Sequence, residues 1–312
     1  MASAASQSYP PQAASSPAWA ALRDLKPEHD FFVGVDSDGC AFNSMEVKHS
    51  DCFCVALIRY YGLSAISRQV HTAWDFVNLY SQTRGCNRFK AILLVCDFLR
   101  EMPRVKKSGV KVPEMPYLRE WVKNETVLGN PRLKELIETS SGARKEELAK
   151  LMEWSKGVNR YVEEIVHDLP PFPNVEESLV RLGARADLMV VSATPQEALR
   201  REWAEHRIDK YVALIAGQEM GSKTEHLTLA AKGKYPADQV LMVGDAPGDL
   251  KAARDVGALF FPINPGAEEE SWERFVGEGI ERFFGKSYAG DYEKKLIEEF
   301  MRLLPTDPPW KK

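Results

Sequence analysis

Six side chains in this sequence are of types that move protons, attack electrophiles or neutralise charge, and each lies where an apolar run gives way to a turn or a helix. They are Asp36, Asp38, Ser192, Lys223, Asp245 and Asp249. Asp36 and Asp38 are separated by one residue, follow the apolar run Phe31–Val35 and precede Gly39. Two carboxylates at the end of a buried strand are costly to desolvate unless they are paired, protonated or bound to a metal. An Asp-Gly turn is an equally ordinary account of that stretch taken alone. Asp245 closes a second apolar run, Gln239–Gly244, and Asp249 follows four residues later. Ser192 closes a third run, Asp187–Val191, and Lys223 opens a helical stretch. Plainer roles exist for most of them. Asp249 suits a helix N-cap, and Ser192 or Thr194 suits capping the helix that begins at Pro195, which is the preferred reading of Thr194. Lys223 alone is one solvated lysine among many. Asp36 and Asp245, each directly after an apolar strand, are the hardest to explain without chemistry.

The elements that carry these residues read as a parallel, doubly wound α/β sheet. Apolar strand patterns at 31–35, 187–192, 211–216, 239–243 and 258–261 alternate with helical patterns at 174–183, 195–206, 223–233 and 250–256. In such a sheet all strand C-termini share one edge, so groups far apart in the chain converge there. Between Gly39 and the proline-rich segment 169–173 the pattern is helical throughout. One helix is expected over Met45–Tyr61, with Asn43 or Ser44 as its cap and Gly62 as its end. Others follow at Ser64–Gln82, Arg88–Arg100, near 116–125 and 131–139, and at 143–168. The domains are therefore a disordered tail over 1–28, an α/β core from 29–44 plus 172–290, an all-helical cap over 45–171, and a C-terminal helix and tail over 291–312. A short helix is possible at Ala18–Leu25. Trp74 and Trp121 are expected in the bundle core; His49, His71 and His167 are expected at the surface or at helix caps.

Composition narrows the class of function. The chain has 312 residues, 44% of them apolar, enough for a sizeable core, and a net charge of −4 that does not invite a nucleic-acid backbone. The five cysteines form no Cys-x-x-Cys pair and follow no secretion signal, so they are expected to be reduced, in a cytoplasmic protein. No apolar run approaches the ~20 residues that cross a bilayer.

Taken in order, the motifs resemble those of the haloacid dehalogenase-like hydrolase superfamily. Asp36-Ser37-Asp38-Gly39 with Ser44 is similar to its first motif, and Met189-Val190-Val191-Ser192 to its second. Lys223 is similar to the third, and Gly244-Asp245-Ala246-Pro247-Gly248-Asp249 to the fourth. The helical insert lies between the first and second motifs, as the caps of that superfamily do, and is longer than those expected for its small sugar-phosphatase members. The resemblance implies Asp36 as a nucleophile that forms an aspartyl-phosphate, and Asp38 as the acid that protonates the leaving group and then activates water. Ser192 and Lys223 would bind the phosphoryl group. A Mg²⁺ ion would be held by Asp36, the backbone carbonyl of Asp38, Asp245 and Asp249. Oxygen ligands without His or Cys suit that ion. The alternative for Asp249 is to orient Lys223.

The second aspartate favours phosphate-ester hydrolysis over dehalogenation. The expected activity is a Mg²⁺-dependent phosphatase acting on a small phosphorylated metabolite, with no nucleic-acid or membrane partner. A phosphomutase or phosphotransferase of the same superfamily is the alternative, and a non-catalytic binding protein of the same fold a more distant one. Substrate choice falls to the cap, where the loop carrying Arg84, Gly85, Asn87 and Arg88 is either a substrate-specificity loop or a glycine turn with solvated arginines.

Overall fold

The computed structural model describes residues 17–125 and 127–311. Five parallel strands form one sheet: β1 (Phe31–Val35), β2 (Ala186–Val191), β3 (Leu214–Ala216), β4 (Val240–Gly244) and β5 (Leu259–Pro262). Their spatial order is β3-β2-β1-β4-β5. The strand that ends in Asp36 is thus central, flanked by the strands that end before Ser192 and Asp245. β1 is buried along its whole length because helices cover both faces of the sheet. Its side chains alternate between two cores. Phe31, Val33 and Val35 join Leu188, Val190, Leu241 and Val243 on one face, while Phe32 joins Met189, Val191, Val240 and Met242 on the other. Gly34 is glycine for lack of room, since a Cβ there would lie 2.9 Å from Val191 Cγ2.

The strand expected over 211–216 is reduced to three residues, its first part wound into a 3₁₀ turn at Asp209–Tyr211. The helix expected near 18–25 is Pro17–Arg23, with Leu22 buried against the core and Lys234 Nζ donating to the carbonyls of Leu22, Arg23 and Leu25. Ordered structure therefore begins inside the stretch assigned to the tail; residues 1–16 lie outside the described residues.

The insert is helical throughout and has its own core, in which Trp74 and Trp154 are fully buried and Trp121 nearly so. Its first helix is not continuous. An α-helical turn at Ser44–Val47 passes into a π-helical segment, Lys48–Cys54, before α-helix resumes at Val55–Tyr61 and ends at Gly62 in the left-handed region. The second ends earlier than its apolar pattern, at Asn78. There the Thr83 hydroxyl (2.6 Å) and the Ser81 hydroxyl (3.4 Å) take the Val77 carbonyl, competing with helical continuation. A further helix, Pro103–Ser108, stands between Arg100 and residue 116, where no helix was expected, because proline is compatible with a first helical turn. Two strands of chain connect core and insert side by side, tied by Phe172 N–H donating to Ala41 O (2.9 Å). The five cysteines are free thiols. Among the described residues no helix is long and apolar enough to cross a membrane.

Candidate active site

The sheet brings Asp36, Ser192 and Asp245 to one edge, and the helix that begins at Lys223 lies against the same face as the helix carrying Asp249. Among the described residues, Asp36, Asp245 and Asp249 form a buried group with ligand atoms within 4.8 Å of one another. Lys223 is centred among them: its Nζ donates to Asp36 Oδ2 at 2.7 Å and also to Asp249 Oδ1. The second Asp249 oxygen accepts the backbone N–H groups of Asp245 (3.1 Å) and Ala246 (3.0 Å). Asp249 is not the N-cap expected of it, a position that Ala246 holds; from the third helical position its carboxylate accepts the N–H groups that open the helix and also holds Lys223. Asp36 Oδ1 accepts the Ser37 N–H at 2.8 Å.

Three carboxylates here face two cations, Lys223 and Arg84. Burial, together with repulsion from Asp249 and Asp245, pushes the Asp36 carboxyl well above its usual range, with Lys223 opposing. Asp245 is pushed up by burial as well, with Arg84 opposing. Burial alone would lower Lys223, but the charges of Asp249 and Asp36 outweigh it and hold the ammonium protonated. The buried Asp245 Oδ1 has no hydrogen-bond partner. An all-carboxylate group with surplus negative charge and one orphaned oxygen fits a hard divalent cation such as Mg²⁺.

Asp38 points its carboxylate elsewhere. Ser44 and Lys48 both donate to its Oδ1, and Thr194 Oγ1 donates to Oδ2 at 2.7 Å. Burial would raise its pKa, but Lys48's charge and these donors reverse the effect and bring it down to about 2. The capping role preferred for Thr194 is corrected: the helix Gln196–Glu205 has no side-chain cap, and the hydroxyl serves Asp38. Ser44 likewise does not cap its helix. Ser192 is buried, with Oγ accepting the Thr194 N–H at 3.3 Å.

Of the loop residues, Arg84 enters this site. Its Nη2 lies 2.6 Å and its Nε 2.7 Å from Asp245 Oδ2, and Nη1 donates to Leu79 O at 2.8 Å. Asn87 has a structural role: it caps the helix Arg88–Glu101 by accepting Phe89 N–H (3.0 Å) and donates to Leu128 O. Arg88 stays within the cap, bonded to Asn159 (2.6 Å) and Ser155 (3.3 Å) with its guanidinium over the Phe53 ring; burial lowers it to about 10. His49, expected at the surface, is buried. It stacks on Phe53, accepts the Trp74 indole N–H at 3.2 Å, and is driven down to about 3 by burial and by the charge of Arg84.

Two further residues were not visible in the sequence pattern. Lys48 starts the π-helical segment and carries the charge that faces Asp38. Glu202 accepts the Ser37 hydroxyl at 3.0 Å, and Ser37 in turn accepts the Trp203 indole N–H at 2.9 Å. Burial, then the Asp38 charge, raises Glu202 to about 7. Both sit on ordinary helical stretches rich in charged residues, and no spacing signal marks them.

Residues 118–263 match the family model described as haloacid dehalogenase-like hydrolase. That span contains Ser192, Lys223, Asp245 and Asp249 and begins after Asp36 and Asp38. No curated protein sequence matches the chain. Solved structures with a similar fold include a haloacid dehalogenase-like family hydrolase from Streptococcus pneumoniae, 12% identical, covering 81% of this chain and 98% of that one with a TM-score of 0.45. A predicted phosphoglycolate phosphatase from Haemophilus somnus is 17% identical, with coverage of 76% and 86% and a TM-score of 0.42. A haloacid dehalogenase-like hydrolase from Xanthomonas campestris is 11% identical, with coverage of 84% and 96% and a TM-score of 0.43. The family match spans three of the four motif stretches, and the fourth, Asp36–Gly39, is seated beside them on the central strand; residues 118–263 are therefore similar to the haloacid dehalogenase-like hydrolases.

Proposed function

We propose that the protein is a Mg²⁺-dependent phosphatase acting on a small phosphorylated metabolite through an aspartyl-phosphate on Asp36. The observation that carries this reading is the meeting of Asp36, Asp245 and Asp249 around Lys223 at the sheet edge, with a second, separately held carboxylate on Asp38. A dehalogenase has no leaving group that needs a proton, whereas an ester oxygen does, and Asp38 is the group placed to handle one. Asp36, Asp245, Asp249 and the Asp38 backbone would hold the metal, which when bound offsets the charge of the phosphoryl oxygens.

The chain's own residues account for the remaining steps. An Asp36 carboxylate oxygen attacks phosphorus, the ester P–O bond breaks, and the leaving oxygen takes a proton from Asp38. Asp38 then accepts a proton from water as that water attacks phosphorus and the bond to Asp36 breaks. Lys223, held by Asp36 and Asp249, keeps a fixed positive charge at the reacting centre, and Ser192 and Thr194 offer hydroxyls at the end of β2. With Lys48, Ser44 and Thr194 all donating to it, Asp38 is a carboxylate, the form the second step uses. Protonation for the first step requires the Lys48 contact to loosen.

The test is phosphate release from a panel of phosphate esters, with Mg²⁺ or with chelator, for wild type and Asp36→Asn. Release that needs both the metal and Asp36 is the expected result. A folded wild-type protein that releases phosphate from none of them would exclude this reading.

A further inference from the structure

Arg84 comes from the cap, yet its guanidinium is buried in the core's acidic group, 3% exposed at the side chain. Two of its nitrogens converge on a single oxygen, Asp245 Oδ2, and the third is fixed by Leu79 O. The loop around it is built for this reach. Arg84 N–H donates to Ser81 O and Cys86 N–H to Thr83 O, two successive tight turns, both at 3.0 Å. Two glycines make space on either side. A Cβ at Gly39, which has φ +75°, would lie 2.6 Å from Arg84 Nη2 and 2.6 Å from Asp245 Oδ2. A Cβ at Gly85, with φ +72°, would lie 3.2 Å from the Cβ of Ala246, next to Asp245. A solvated arginine on a glycine turn requires none of this.

We infer that Arg84 is a counter-ion latch: the cap loop and a divalent cation compete for Asp245, so that metal binding releases the loop and removal of the metal draws it back. This rests on the proposed metal role of the Asp36, Asp245 and Asp249 group. The physical basis is repulsion between like charges. Arg84 holds Asp245 Oδ2 with two charged N–H donors at 2.6 and 2.7 Å, and a cation taken by the unpartnered Oδ1 would share that one carboxylate with the guanidinium. A fixed arginine cannot lose its proton to relieve the conflict. Metal binding therefore favours the unlatched form, and apparent metal affinity falls by the fraction of molecules in that form. If about a tenth of the population is unlatched, the affinity is weakened about tenfold. The released guanidinium is then free to meet an anionic substrate, which ties metal loading to substrate capture.

The experiment is Mg²⁺ and Ca²⁺ binding by calorimetry to the full chain without substrate, for wild type, Arg84→Ala, Arg84→Gln and Asp245→Asn. Amide hydrogen exchange over residues 79–88 is followed in parallel. The expected result is binding about tenfold tighter in Arg84→Ala and Arg84→Gln than in wild type. In wild type, exchange at Arg84 and Cys86 should accelerate when metal is added. Equal affinity in wild type and both Arg84 variants would overturn the latch and leave the metal reading intact. So would tighter binding with no metal-dependent change in exchange. Absence of metal binding in wild type and both Arg84 variants, all folded by circular dichroism, would instead sink the metal reading and the latch with it.

Discussion

At the residue scale, Glu202 gives a pH signature that can be separated from the reacting carboxylates. Its pKa is raised from 4.5 to about 7, by burial first and the Asp38 charge second, so the folded state binds its proton more tightly than the unfolded state does. Stability is then lost as pH rises from about 4.5 through about 7, and the penalty is complete above that. At about 1.4 kcal/mol per unit the penalty is at most about 3.5 kcal/mol, reduced by solvent screening because Glu202 is partly exposed. Glu202→Gln cannot ionise. It should gain thermal stability relative to wild type at pH 8 and show little gain at pH 5; an equal shift at both pH values would contradict the assignment. Gly39 makes a second residue-scale prediction. Gly39→Ala places a Cβ against Arg84 and Asp245 in a backbone region where L-residues are strained by about 1–2 kcal/mol. Phosphate turnover, read as kcat/KM, should fall by about tenfold or more, since 1.4 kcal/mol of misplacement is enough for that.

At the element scale, the sheet and its site were largely readable from the chain, and the cap's detail was not. Apolar runs that stop at Asp36, Ser192 and Asp245 encode both strand and position, because a strand buried on two faces keeps its polar residues to its ends, with Asp187 at the start of β2 satisfied by the backbone of Glu28 and His29 and by the Tyr235 hydroxyl. The convergence of Asp249 and Lys223 follows once the parallel order is assumed. In the cap, apolar periodicity shows that helices exist but not where they distort. The pattern over Met45–Tyr61 gives no notice of the π-helical segment that begins at Lys48, since an extra residue in a turn changes register without changing composition. Thr194 and His49 were misplaced for a similar reason: each acts on a partner distant in sequence, Asp38 and Trp74. Helix packing within the cap yields a prediction with a sign. Gly157 sits inside the helix Gly142–Ile165, where Ala ordinarily gains about 0.5–1 kcal/mol. Its missing Cβ is covered by the Tyr60 ring, which would be 2.6 Å away at Oη. Overpacking of this kind costs about 1–3 kcal/mol and should win. Gly157→Ala is expected to destabilise wild type in urea unfolding but to stabilise a Tyr60→Leu background. If it is destabilising in both, the overlap with Tyr60 is not the cause.

At the scale of the whole molecule, the cap is joined to the core by more than its two covalent connections. The last core helix, Asp291–Leu303, lies on the sheet through Phe300, and the chain then leaves the core for the cap. Gln82 N–H donates to Pro305 O (3.3 Å), and the Trp310 ring meets Phe76 at 5.4 Å and Phe98 at 5.8 Å, both edge-on. Lys311 pairs with Glu101 at 2.8 Å. Edge-to-face pairs are worth about 0.5–1.5 kcal/mol each beyond their buried area, while an exposed ion pair contributes at most about 1 kcal/mol. The tether is therefore mainly aromatic, and it acts on the helices Ser67–Asn78 and Arg88–Glu101, which frame the Arg84 loop. Trp310→Ala should free the cap to swing on its two connections. Hydrogen exchange should accelerate at Phe172, whose N–H closes the hinge on Ala41, while the amides of β1 and β4 keep their protection. Lys311→Ala should leave both unchanged. Unaltered exchange at Phe172 in Trp310→Ala would mean that the hinge alone fixes the cap, and that the C-terminal segment follows its position without setting it.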